Sequence, residues 1–282
     1  MILQMRMTVL TIGVSIALVA SCLAAPPAAQ GPRMSDAELL KALDLEFAGM
    51  EAVAKAVSEG DTQRALDALL SFVRQREEPY DFGQKAPRDP SYNLAPADAV
   101  LRQRFTVVGI PHTFDGPVDW YFNPTTTPES EHARDNEWTW QLNRHAAFAT
   151  LAGAYRASGD ERYARKFAEL LESWIRDCPV PEDGAWQGPT SPWRTIECGI
   201  RTAGSWATAL TTFRSSPSVS DQLLVDWLKS WIEHGRYLYR YPTGRNWLTM
   251  EFNGLYHVGT LLPFAKDAPT WRTASAKRLC DE

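Results

Sequence analysis

The chain has 282 residues, of which 44% are hydrophobic and 22% charged, and its formal net charge is −5. That apolar content is enough for a sizeable core in one large domain and excludes a disordered chain. The acidic balance supplies no general basic field, which excludes nucleic acid as the expected partner but allows an acidic glycan held in a local pocket.

Arg6, the apolar run from Thr8 to Ala20 and the small residues before Pro26 and Pro27 read as an export signal over residues 1–24. The run is too short for a comfortable membrane span. Val19-Ala20-Ser21-Cys22 resembles a bacterial lipobox. On that reading Cys22 is lipidated, and the protein is periplasmic or outer-membrane-anchored, touching a membrane only through the lipid. The alternative is cleavage after Ala24 or Ala25 and free secretion. Cys178, Cys198 and Cys280 then remain, an odd count for an oxidising compartment; Cys178 and Cys198 flank a proline-rich link and can bridge. Neither number nor spacing resembles a metal site, and no cofactor is expected.

Ser35 with Glu38 fits a capping box, and Leu39, Leu43, Phe47, Met50, Ala54 and Val57 follow at helical spacing. These predict a first helix of about twenty residues. After the turn Glu59-Gly60-Asp61, Leu66, Leu69, Leu70 and Val73 predict its antiparallel partner, so residues 35–76 read as a helical pair. Residues 77–137 are broken by Pro79, Pro87, Pro90, Pro96, Pro111, Pro117, Pro124 and Pro128, and read as a long irregular segment. Its aromatics, Tyr80, Phe82, Phe105, Phe114, Trp120, Tyr121 and Phe122, either line a cleft or pin the loop to the helices beneath. The one strand signal is Phe105 to Val108. His112, Asp115 and Asp119 lack a further ligand cluster, so no metal is assigned to them.

From residue 138 to 282 helices return. Trp138, Gln141, His145, Phe148, Ala152 and Tyr155 form one stripe, and Ser158-Gly159-Asp160 stops it and caps the next helix, with Tyr163, Phe167, Leu170 and Trp174 inward. Ser191-Pro192 predicts a helix start, with Glu197 and Arg201 spaced for an ion pair. Asp221 opens the next helix, where Leu224, Trp227, Trp231, His234 and Leu238 recur at three and four. Helical hairpins without heptads predict an all-α fold, an incomplete (α/α) toroid.

The stretch Gly244 to Pro263 organises the rest. Leu248, Phe252, Leu255, Gly259 and Leu262 make an apolar stripe, while Asn246, Thr249, Asn253, His257 and Thr260 share a polar face without charge. Flanked by Trp247, Met250 and Tyr256, that neutral face reads either as the wall of a sugar-sized cavity or as a buried helix bonding neighbouring backbone.

This run, NWLTMEFNGLYHVG after Gly244-Arg245, resembles the corresponding helix of heparinase II/III-type polysaccharide lyases, in particular their heparan-sulfate-lyase branch. DWYFNP (Asp119 to Pro124), EWTWQLNRH (Glu137 to His145), AYRASGDERYA (Ala154 to Ala164) and WRTIECGIR (Trp193 to Arg201) extend the resemblance over roughly residues 100 to 275 in matching order. The resemblance implies β-elimination on a uronic-acid glycan, with Asn246 neutralising the sugar carboxylate so that the adjacent carbon can lose its proton. Alginate-specific relatives commonly carry His after that Asn; Trp247 stands here. Trp138, Trp140, Asn143, Arg144, His145, Trp193, Arg201 and His257 are the expected substrate contacts, aromatic faces stacking on sugar rings and Arg pairing with carboxylate or sulfate. In the family a proton-shuttling tyrosine and a β-sandwich histidine lie further along, so the chain is expected to be a fragment or a degenerate copy.

Nucleophile-elbow, P-loop, dinucleotide and zinc-protease motifs are absent. Two other readings stay open. A helical-barrel glycoside hydrolase would need paired carboxylates, with Glu137, Glu197 and Glu251 as candidates. A non-catalytic cell-surface glycan-binding protein would need none.

Overall fold

In a computed structural model of the chain, Ser35 accepts a hydrogen bond from the Glu38 amide while the Glu38 carboxylate accepts the Ser35 amide at 2.8 Å. This reciprocal cap starts α1 (Asp36–Lys41). The structure describes residues 31–77, 88–182, 188 and 190–281. The export signal, Cys22, Pro79, Tyr80, Phe82 and Pro87 lie outside the described residues.

The expected twenty-residue first helix is two pieces, α1 and α2 (Glu51–Ser58). Tertiary pairing breaks it. Leu43 forms an antiparallel bridge with Ala265, the Asp44 amide donates to the Phe264 carbonyl at 2.8 Å, and the Lys266 amide donates to Ala42 at 2.8 Å. These bonds take the backbone groups that a continuous helix would use internally. Asp61 caps α3 (Thr62–Gln75), which packs on α2. The ring of Phe264 meets Phe47 and Phe72 edge-on, and Arg76 donates to the Leu261 carbonyl at 2.7 Å, so the N-terminal helices sit against the helical array.

The proline-rich segment is less irregular than its sequence suggests. It contains α4 (Ala95–Leu101) and a hairpin of β1 (Arg104–Val107) and β2 (Ile110–Thr113), paired Arg104 to Thr113 through Val107 to Ile110. Val108 and Gly109 turn it with φ of 46° and 78°, the mirror-image turn that suits strand twist. Phe114, Phe122 and His112 pack around Trp138, and Phe105 and Trp120 are buried, so these aromatics pin the segment to the helices beneath, while Tyr121 is exposed.

Helices then alternate: α5 (Glu137–Leu142), α6 (Ala146–Ser158), α7 (Glu161–Asp177), α8 (Thr195–Ala203), α9 (Ser205–Phe213), α10 (Asp221–Arg240), α11 (Asn246–Leu261) and α12 (Ala268–Asp281). Two expected helices are interrupted. His145, left-handed at φ 57°, separates α5 from α6, and Gly204 separates α8 from α9. The helix expected from Ser191 begins instead at Thr195, because the Pro192 carbonyl is taken by Arg201 at 2.7 Å. Among the described residues the hairpin is the one β-sheet, and the architecture is an all-α, incomplete (α/α) toroid. None of the described helices is long and apolar enough to cross a membrane.

Trp138, Trp174, Trp206, Trp227, Trp231 and Trp271 are fully buried and form the spine of the core. Cys178 and Cys198, whose positions in sequence allowed a bridge, are free buried thiols. The Cys198 sulfur accepts from Arg201 at 3.1 Å, while Cys178 ends α7 beside Tyr121. Below the spine, α8 and α11 meet backbone to backbone. A Cβ on Gly199 would lie 2.4 Å from the Met250 carbonyl oxygen, and one on Gly254 would lie 2.5 Å from Gly199 Cα.

Candidate functional site

That close approach carries the first turn of α11 to the N-terminus of α8. Asn246, the first residue of α11, is exposed, and Arg245 before it caps the helix through its carbonyl, which accepts the Leu248 amide at 3.0 Å. Trp247 is half-buried against the Arg194 guanidinium, whose carbon lies 4.6 Å from the Trp247 ring centre and 3.4 Å from that of Trp140. The guanidinium is thus stacked on both indoles.

Beneath the stack lies Glu197, fully buried. One of its oxygens accepts from Arg144 at 3.1 Å and the other is 3.4 Å from Arg194. Burial pushes its carboxyl above the ordinary value, with Arg194 and Arg144 opposing the shift. Arg144 also reaches Glu137 at 3.5 Å, and Glu137 accepts from Gln141 at 2.9 Å. Trp247, Trp140, Arg144, Arg194 and Glu197 therefore form one neighbourhood at α5, α8 and α11, and Asn246 precedes Trp247 at its edge.

Of the residues singled out from sequence, Trp140 and Arg144 lie there, and Asn246 is the chain neighbour of Trp247. Five others are core. Trp138 donates its indole N–H to the Ile110 carbonyl at 3.1 Å. Asn143 donates to the Trp120 and Thr139 carbonyls at 2.8 and 2.9 Å and accepts from the Trp174 indole at 2.9 Å. Trp193 donates to the Cys178 carbonyl at 2.8 Å. Arg201, fully buried, is turned away from Glu197 toward the Asn143 and Pro192 carbonyls, Cys198 and His234. His145 accepts from the Trp206 indole at its Nδ1. Buried, and with their polar groups engaged inward except for the unpartnered Nε2 of His145, these five do not present a contact surface in this structure.

The hydrogen bonds also fix two imidazole tautomers: His145, accepting at Nδ1, carries its proton on Nε2. His234 accepts the Arg201 Nε–H at its Nε2, so its Nδ1 carries the proton and donates to Ser230. Burial, reinforced by the Arg201 charge, pushes His145 and His234 well below the ordinary histidine value and keeps both neutral. His257 stands apart: it is half-buried, bonds the Asn253 carbonyl at 2.9 Å, and lies eleven residues after Asn246, about 16 Å along the helix. The neutral polar face of α11 is open, not enclosed, among the described residues, with Asn246 and Thr249 exposed and Asn253, His257 and Thr260 half-buried.

A family model described as heparinase II/III N-terminus matches residues 39–282. The chain belongs to that family. This heparinase II/III-type domain is 28% identical over 279 residues to a heparin-sulfate lyase of Bacteroides thetaiotaomicron, a match covering 91% of the chain and 37% of the relative. A heparin-sulfate lyase of Pedobacter heparinus is 28% identical over 236 residues, covering 82% of the chain and 35% of the relative. Among solved structures it is similar to heparinase III, at a TM-score of 0.74 and 28% identity, covering 87% of the chain and 38% of that structure. The heparan sulfate lyase HepC from Pedobacter heparinus gives 0.72 and 26%, covering 86% and 38%. The heparinase II/III-type chain thus spans little more than a third of the length of these relatives.

Sequence reasoning passed over Arg194 altogether, treated Glu251 only as a hydrolase acid, and read Glu197 as a hydrolase acid or as an ion partner of Arg201, which is instead turned to His234 and Cys198. Both carboxylates are buried, Glu197 between two guanidinium groups and Glu251 bonded to Thr243, which leaves no pair free to flank a glycosidic bond. The sequence signal for Arg194 was its place between Trp193 and a helix carrying Glu197 three residues later. Among the described residues no three His, Cys, Asp or Glu side chains are grouped to hold a metal ion.

Proposed function

We propose that the chain is the N-terminal toroid of a polysaccharide lyase that cleaves heparan-sulfate-like, uronic-acid-containing glycans by β-elimination, with Asn246 as the carboxylate-neutralising group. The observation that carries this reading is Asn246 itself, an exposed neutral amide at the head of α11, beside the Trp140–Arg194–Trp247 stack. The relatives named heparin-sulfate lyases support the substrate class.

The proton next to an ionised uronate carboxylate is hardly acidic. An amide donating hydrogen bonds to that carboxylate stabilises the negative charge that builds as the proton leaves, and the glycosidic oxygen on the neighbouring carbon then departs. Trp140 and Trp247 are the half-buried rings placed to stack on sugar, and Arg144 is the nearby half-buried cation for a carboxylate or sulfate. His257 belongs to the same helix further along the glycan path. Trp138, Asn143, His145, Trp193 and Arg201 act from beneath, holding that surface in place. Glu197 and Glu251 are buried and engaged, so the general base is a group outside this neighbourhood.

The test is product absorbance in the near ultraviolet, where the unsaturated uronate absorbs, with heparan sulfate, alginate and hyaluronan, beside a binding titration of each. The expectation is preferential binding of heparan sulfate, weakened by Asn246→Ala and by Arg144→Ala. With the full set of proton-transfer groups present, Asn246→Ala is expected to cost about 10²- to 10³-fold in turnover. Equal binding by wild type and both variants would defeat the reading. Export and lipid attachment at Cys22 belong to the same proposal, and palmitate labelling that persists in Cys22→Ala would remove the anchor from it.

A further inference from the structure

We infer that Glu251 is a positioning residue for Asn246, its buried carboxylate fastening the loop that presents the amide. This rests on the reading of Asn246 as the carboxylate-neutralising group, and it names the device that sets its geometry.

Glu251 lies on α11 five residues after Asn246 and is 1% exposed. Both its oxygens are directed to one loop residue. The Thr243 amide donates to one at 2.8 Å and the Thr243 hydroxyl donates to the other at 2.8 Å. Thr243 is itself exposed, so a buried acceptor reaches outward to hold a surface loop. Among the described residues no cation pairs with Glu251. A buried carboxylate without a cation is costly, and an apolar side chain would fill the same space more cheaply. What an apolar side chain cannot do is grip Thr243 at two points.

The grip answers a strain two residues on. Arg245 has φ 60° and ψ −148°, a region essentially reserved for glycine, and it is the residue whose peptide leads into Asn246. Such a conformation persists only where the surroundings over-determine it. Here the loop is held on both sides, at Thr243 by Glu251 and at the Arg245 carbonyl by the Leu248 amide at 3.0 Å. Glu251 is fixed in turn by α8, since a Cβ on Gly199 would come within 2.8 Å of Glu251 Cα. The chain of constraint therefore runs from the α8 backbone through Glu251 and Thr243 to the peptide that sets where Asn246 stands. Without the carboxylate, Arg245 relaxes toward an ordinary φ and the amide turns with it.

The experiment follows the Asn246 side-chain amide by NMR in the isotope-labelled full chain, its signal assigned by its loss in Asn246→Ala. Glu251→Ala is expected to shift or broaden that signal and to weaken binding of a heparan sulfate tetrasaccharide by about tenfold. Glu251→Gln, which keeps an acceptor for the Thr243 amide, is expected to restore both substantially. In the Asn246→Ala background Glu251→Ala should weaken binding no further, as required of a residue acting through Asn246. An unmoved Asn246 signal in Glu251→Ala, or the same added loss of binding in both backgrounds, overturns the inference. Should Glu251→Ala fail to fold, Thr243→Val removes one of the two bonds at the surface, and the same shift is expected or its absence overturns the inference. If Asn246→Ala binds the tetrasaccharide like wild type, the lyase reading falls, while the amide signal still decides whether Glu251 positions Asn246.

Discussion

Replacing Gly199 by alanine tests whether the contact of α8 with α11 sets the position of the site. The added Cβ would stand 2.4 Å from the Met250 carbonyl oxygen and 2.7 Å from its carbon, against 3.4 Å for ordinary contact, so α11 must move by about 1 Å. Neither helix has a side chain there that can swing aside. Overpacking typically costs 1–3 kcal/mol, and a clash of backbone with backbone belongs near the top, about 3 kcal/mol. At about 2–4 °C per kcal/mol for a domain of this size, the melting temperature should fall by about 6–12 °C. Met250 is one turn from Asn246, so the shift reaches the site: amide exchange at the start of α11 should quicken, and heparan sulfate binding should weaken even well below the melting temperature. Gly244→Ala is the control, because a Cβ there meets nothing within 4 Å although it lies two residues from Asn246. The assays are circular-dichroism melting and hydrogen exchange. A Gly199→Ala protein melting within about 2 °C of wild type, with α11 protection unchanged, would refute the argument.

The neutral imidazoles of His145 and His234 make part of the stability acid-sensitive. Their folded values are depressed, so their contribution is fully present above about pH 6.5 and is lost as pH falls below it, where only the unfolded rings take protons, at about 1.4 kcal/mol per pH unit for each ring. His234→Gln removes one ring's share, and its stability gap to wild type in urea should narrow by about 1 kcal/mol between pH 6 and pH 5; parallel losses would contradict the assignment. Asn143→Ala strands the Trp174 indole N–H and the Trp120 carbonyl in the core. It is expected to cost about 2–5 kcal/mol in urea unfolding, and a loss under about 1 kcal/mol would show that Asn143 does not hold these groups.

Local signals were legible where local physics decides. The Ser35–Glu38 capping box, the Gly159–Asp160 stop and cap, and the stripes of α7, α10 and α11 need only neighbours three and four residues away. The breaks were not legible, because each depends on a distant partner: Leu43 leaves its helix to pair with Ala265, and Pro192 yields its carbonyl to Arg201. The same limit governed the site. Trp138 and Trp140 are two residues apart and equally aromatic, yet one turns to the hairpin and the other to Arg194. Periodicity separates solvent-facing from inward-facing positions, but it does not separate a position facing the core from one facing a cleft. Asn143, His145, Trp193 and Arg201 fell on the core side of a line that hydropathy does not draw.

The bridge between Leu43 and Ala265 also orders events during synthesis. The segment around Leu43 leaves the ribosome early, but its backbone partners, Phe264 through Lys266, are made more than 200 residues later; the Lys266 ammonium that reaches the Lys41 carbonyl is 225 positions away. Through that interval the nascent chain carries Leu43, Phe47 and Phe72 without the surface that covers them. The intervening hairpins close through short-range contacts and can form as they emerge, whereas this closure joins distant parts of the chain and comes last. A closure of this sequence separation is expected to be slower than the hairpins, so the long-range seam, not the helices, is expected to set the pace of folding.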